Sequence, residues 1–87
     1  MVGSLLVIYM DGQLDLAYVA EIAGDFLVSP SVRSIEIDLS GLIEIEWTGA
    51  RFLLFIQEEA AARGKSCRFS NASDAVVAKF RSNEDRR

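Results

Sequence analysis

The sequence predicts an α/β fold: one small sheet of mainly parallel strands with helices packed on it, in the order β-α-β-α-β-α. Three observations carry that expectation. Apolar residues recur with a period of two in some segments and at helical spacing in others, and the two kinds of segment alternate along the chain. Strands separated by helices pair in parallel through right-handed crossovers. The 87 residues leave room for one core only, so 1–87 reads as a single domain with 81–87 as a frayed tail.

The elements follow in order. Leu5 to Met10 is a short run of β-formers between Gly3-Ser4 and Asp11-Gly12, read as a strand buried on both faces. Asp15 stands as an N-cap, behind which Leu16, Val19, Ala20, Ala23, Phe26 and Leu27 recur at helical spacing. Ser29-Pro30-Ser31 ends that helix near Val28. Ser34 to Leu39 alternates strictly, which is a strand with one apolar face. Ser40-Gly41 turns or kinks the chain, and Leu42 to Trp47 alternates again before a helix from Gly49 to Arg63. Thr48 is its expected N-cap and Gly64 its C′ residue. Cys67 and Phe69 mark a third short strand, with Lys65 and Arg68 exposed. Asn71 or Ser73 caps a last helix carrying Val76, Val77 and Phe80, and the tail from Ser82 is polar. The sheet is expected to hold three or four strands.

Composition excludes several classes of function. With 51% hydrophobic and 25% charged residues, the chain has enough apolar surface to offset its conformational entropy. Its longest apolar runs fall far short of the ~20 residues that cross a bilayer, so no membrane insertion is expected. No basic segment precedes an apolar stretch, so no signal peptide is expected. Cys67 is the one cysteine, which leaves no intramolecular disulfide and no zinc framework, and the cytoplasm is the expected compartment. The absence of histidine removes Ser-His-Asp and Cys-His chemistry and His-ligated metals; no metal or cofactor is expected. A net charge of −4 argues against nucleic acid as the ligand. The charge is uneven. Residues 1–62 hold ten acids against Arg33 and Arg51, whereas 63–87 hold seven bases against Asp74, Glu84 and Asp85. Such polarity suits an oriented encounter with a charged protein, although a scattered, solvated surface is the simpler account.

The stretch from Ile37 to Ala50 places a helix N-terminus shortly after a strand. Free N–H groups there carry partial positive charge, so an anion or an esterified phosphate is stabilised. An ordinary N-cap at Thr48, worth about 1 kcal/mol, needs no such ligand. Glu36, Asp38, Glu44 and Glu46 form an acidic set better explained as a polar sheet face than as a divalent-cation site. Thr48 and Cys67 lack a placed base, so neither is a credible nucleophile and no enzyme is expected. Phe52 to Ile56 are five consecutive large apolar residues, which on a helix go all the way round. Leu54 or Phe55 therefore points outward and marks a protein interface unless a neighbouring helix covers it. Trp47, the one tryptophan, either closes the core edge or anchors a partner.

Asp38-Leu39-Ser40-Gly41, followed by Glu46, Thr48 and Gly49, resembles the core of a STAS domain, the family of bacterial anti-sigma-factor antagonists and of domains in anion transporters. Gly12-Gln13-Leu14-Asp15 is similar to the family's Gly-Glu-Leu-Asp loop. Ala62-Arg63-Gly64-Lys65 with its strand, then Asn71 to Val76, resembles the closing strand-helix unit. The likeness spans Val7 to Arg81. The family's pattern is Asp-Ser-Ser-Gly or Asp-Thr-Ser-Gly, whose first hydroxyl is phosphorylated by a partner kinase. Here it reads Glu46-Trp47-Thr48-Gly49, with tryptophan at the acceptor position. The resemblance implies a regulatory interaction module with a degenerate phospho-switch, Thr48 and then Ser40 being the remaining acceptor candidates. It implies partner binding at Gly12, Asp15, Glu46, Trp47, Thr48 and Gly49, joined by the outward Leu54 and Phe55. The partner expected is an anti-sigma-type kinase, or else a transporter subunit if the chain is a small STAS subunit of an ABC phospholipid-type transporter. A homodimer is the further expectation, from the outward apolar residues and an unprotected sheet edge.

Overall fold

The computed structural model describes residues 4–12 and 15–85. Elements follow as β1 (Ser4–Gly12), α1 (Leu16–Val28), β2 (Val32–Leu42), α2 (Trp47–Ala62), β3 (Ser66–Ser70) and α3 (Asp74–Asp85). The three strands form one parallel sheet in the order β1-β2-β3. Both crossovers step the same way across the sheet, so right-handedness sends α1 and α2 to the same face.

Register decides what that face is made of. Ile8 lies opposite Ile37, Ile35 opposite Cys67, and Ile37 opposite Phe69, so these side chains project together beneath the helices. The helices answer with Val19 and Phe26 from α1, Leu53 and Ile56 from α2, and Val76 from α3, all buried. Phe80 of α3 stacks on Phe69 with ring centroids 5.1 Å apart. Among the described residues no helix covers the opposite face. There Glu36 accepts hydrogen bonds from Arg68 at 2.7 Å and from the Ser70 hydroxyl at 3.0 Å. Leu5 and Tyr9 stand exposed on β1 beside them, Tyr9 at 70%. This corrects the expectation that β1 is buried on both faces: an edge strand in a sheet covered on one side has only one face to bury.

The second alternating segment is also corrected. β2 continues through Ser40-Gly41, where its register against β1 shifts by one residue between Asp38 and Gly41, and stops at Leu42; no strand forms from Ile43 to Trp47. Pairing explains the limit. Leu42 lies opposite Gly12, where β1 ends, and β3 ends earlier, at Ser70 opposite Asp38. Among the described residues, backbone beyond Leu42 has no neighbouring strand to bond to. Instead α2 begins at Trp47, with Glu46 in extended conformation at the N-cap position and accepting the Ala50 N–H at 3.0 Å. Thr48 is thus inside the first turn and is not the cap.

The other helix ends match their chemistry. Asp15 Oδ1 accepts the Tyr18 N–H at 3.1 Å, and Ser73 Oγ accepts the Val76 N–H at 3.3 Å. Gly64, at φ 71°, closes α2 with its own N–H on Ala61 and that of Lys65 on Ala60, the two bonds of a Schellman motif. α3 continues to Asp85, past Ser82 where the polar tail was expected to begin.

Lys65 is the unexpected staple. Its ammonium donates to the carbonyls of Phe26 at 2.7 Å and Val32 at 2.8 Å, and to that of Ser29. It lies 5.0 Å from the Phe26 ring centroid. One side chain from the start of β3 therefore satisfies carbonyls at the end of α1 and the start of β2. Desolvation, then the charges of Arg33 and Arg63, lower its pKa. The expectation of an exposed Lys65 is corrected: it is half-buried, while Arg68 is exposed as expected. Among the described residues, no helix is long and apolar enough to cross a membrane.

Candidate functional site

A parallel sheet sends the N-terminus of every following helix to one end. Here the carboxyl ends of the three strands lead to the starts of α1, α2 and α3. Three side-chain contacts draw that end together. Asp38 Oδ1 accepts the Ser40 N–H at 2.9 Å, and Oδ2 accepts the Asn71 amide at 3.1 Å. Ser73 Oγ donates to the Ile43 carbonyl at 3.3 Å. The loop after β3 is therefore tied to β2 and to the loop before α2. Hydrogen bonds from Ser40, by its side chain and then its backbone, hold the Asp38 carboxyl below its ordinary value against the opposing effect of burial, with Asn71 adding to them.

The expected site residues divide into two groups. Gly12 ends β1, Asp15 caps α1, and Glu46, Trp47 and Thr48 open α2, so all five lie at this one end. Asp15, Glu46 and Thr48 are exposed. Trp47 is half-buried, with the Arg51 guanidinium 5.8 Å from its ring centroid. Gly49 is buried within the first turn and presents no surface to a partner. Ser40 is exposed and belongs to β2, not to the first turn of a helix. Phe55 is 54% exposed and Leu54 half-buried. Eight residues along α2 place Phe55 about 12 Å from Trp47, on the helix flank and not at its tip.

The residue missed by sequence reasoning is Ile43, 82% exposed at the end of the sheet. Tyr18 and Leu16, in the first turn of α1, join it at 51% and 39%. Reading Leu42 to Trp47 as an alternating strand hid Ile43, because alternation assigns every isoleucine there to a core face. Its position directly before Glu44, just past the Ser40-Gly41 pair, was the available signal.

Chemically the end offers exposed carboxylates, a hydroxyl and apolar groups. Among the described residues no three Cys, Asp or Glu side chains are grouped to hold a metal ion. The acidic set from the sequence is divided: Glu36 is bonded to Arg68 and Ser70, and Asp38 to Ser40 and Asn71. Cys67 is buried on the covered face, and burial pushes its thiol up to about 11, far from a reactive thiolate.

A family model described as the MlaB STAS domain matches residues 2–83. The chain belongs to the STAS domain family. The fold agrees with that membership in solved structures. The STAS domain of a SulP transporter from Vibrio cholerae superimposes with a TM-score of 0.77 at 17% identity, covering 94% of this chain and 65% of that one. The anti-sigma factor antagonist SpoIIAA in its unphosphorylated form gives a TM-score of 0.70 at 22% identity, covering 95% of this chain and 75% of that one. At these identities the likeness is one of fold. This STAS domain thus spans less than two thirds of the transporter domain's length. No curated protein matches it significantly in sequence.

Proposed function

We propose that this STAS domain is a non-enzymatic docking module of a bacterial regulatory system, resembling an anti-sigma-factor antagonist, whose docking does not depend on phosphorylation. The observation that supports the reading is the start of α2. Trp47 occupies the acceptor position and has no hydroxyl, while Thr48 is exposed in the first turn. A phosphate on Thr48 would meet the favourable N-terminal end of the helix, but it would stand beside Trp47 and not in its place. The partner is an anti-sigma-type kinase in the cytoplasm, held at Asp15, Glu46, Trp47 and Thr48. Phe55 on the flank of α2 provides a second contact, either with that partner or with another copy of the chain.

The missing hydroxyl also favours a second reading, a small STAS subunit docked on an ABC transporter of the phospholipid-trafficking kind. A permanently docked subunit needs no switch. The test is to incubate the protein with the kinase encoded beside it and ATP, then map phosphate by mass spectrometry. The expected result is no stoichiometric phosphate on Thr48 or Ser40 and complex formation indifferent to ATP. Rapid, complete modification of Thr48 would overturn the reading. A neighbouring permease and ATPase that co-purify with the chain would favour the transporter subunit over the regulator.

A further inference from the structure

The proposed reading places a protein at the carboxyl end of the sheet and leaves open the chemistry of the surface that the partner presents. Charge at that end decides it. Asp15, Glu44, Glu46 and Asp74 are all exposed there. Among the described residues Glu44, Glu46 and Asp74 form no ion pair and no side-chain hydrogen bond, and Asp15 only caps its own helix. Three helix N-termini oppose these carboxylates, each equivalent to roughly +0.5 of a charge. Four carboxylates against about +1.5 from the helices, and one more from Arg51 a turn into α2, leave a negative end of roughly −1.5. At the other end Lys65 is engaged by three carbonyls and Arg63 by Glu59 at 2.9 Å.

Apolar groups stand among the acids. Ile43 is the most exposed large apolar side chain of the described residues, flanked by Glu44 and backed by Ser73, with Tyr18 and Leu16 on the neighbouring helix start. An apolar anchor within an acidic border is complementary to an apolar surface bordered by Lys and Arg.

We infer that the carboxyl end of the sheet docks a basic, amphipathic segment of a protein partner, with Ile43 as the apolar anchor and Glu44, Glu46, Asp15 and Asp74 as the acidic border. The inference rests on the docking role proposed above and adds the sign and the anchor. Opposite charge steers and orients such an encounter, and burial of Ile43 against apolar surface holds it.

Two synthetic amphipathic helical peptides with one apolar pattern test this, one with Lys and Arg on its polar face and one with Glu. Each is titrated into the purified chain, followed by Trp47 fluorescence and by amide chemical shifts. The basic peptide is expected to bind saturably and to shift residues 15–18, 43–48 and 71–74. Its affinity should fall about tenfold or more as the Debye length shrinks from ~30 Å to ~3 Å with added salt. Glu44→Lys with Glu46→Lys alters only exposed side chains; it should abolish binding of the basic peptide and admit the acidic one. Ile43→Ser should weaken binding without changing its salt dependence. Preference for the acidic peptide at this same end would overturn the inferred sign and leave the docking role standing. Shifts confined to another face, or no binding of either peptide, would overturn both.

Discussion

Gly24→Ala and Gly64→Ala make the same chemical change with opposite expected consequences. At either position an added methyl group meets no heavy atom within 4 Å, so neither variant gains or loses a contact. Only the backbone differs. Gly24 sits inside α1, where alanine is favoured over glycine by about 1 kcal/mol. Gly64 holds φ 71° at the end of α2, where a Cβ costs about 1–2 kcal/mol. The two variants should therefore differ by ~2–3 kcal/mol in stability, one above and one below the parent. For a domain of this size each kcal/mol moves the melting temperature by ~4–8 °C, so the separation is large compared with the error of a thermal scan. Urea unfolding of the three proteins side by side is the assay, with the m-value expected to stay constant. Gly64→Asn should recover part of the loss, because asparagine tolerates the left-handed region. If the two alanine variants shift in the same direction, the assignment of Gly64 to a strained cap is wrong.

Other outcomes follow from burial and titration. Leu53→Ala should cost about 2–5 kcal/mol in urea unfolding, whereas Phe55→Ala, two residues along the same helix, should stay within ~0.5 kcal/mol. Comparable losses would mean that Phe55 is covered. Asp38 has its pKa lowered on folding, so its contribution is present above the unfolded value of 3.8 and is lost as pH falls through the lower folded value. Asp38→Asn should therefore be less stable than the parent at neutral pH, with the difference shrinking below pH 3.8 in acid unfolding curves. Cys67, buried with its thiol raised to about 11, should resist a thiol reagent at pH 8 and react at once in denaturant. Rapid reaction of the native protein would place Cys67 at the surface.

The alternation of helical and strand periods was legible, as were the chemical punctuation marks. Asp15 and Gly64 act at their helix ends as their residue types dictate, because an N-cap oxygen and a positive φ are local requirements. Phe55 was legible as one of two outward candidates, since five apolar residues cannot all fit one face of a helix. The loop from Ile43 to Glu46 was not. Alternation there is as regular as in β2, but a strand needs a neighbour, and where β1 and β3 stop is a property of the sheet. The same error displaced the start of α2 and concealed Ile43.

By itself the sequence determined the class of fold, the helix boundaries marked by local caps, and the loss of a hydroxyl before Thr48, because each depends on residues near one another in the chain. Tertiary structure decided the rest. It stripped β1 of one buried face by placing it at an edge, and it turned Lys65 from a surface charge into a clasp for carbonyls more than thirty residues away. It also gathered three helix starts, four carboxylates and Ile43 at one end of the sheet. No local pattern encodes such meetings, since parallel pairing joins segments whose separation along the chain is set by the crossover between them.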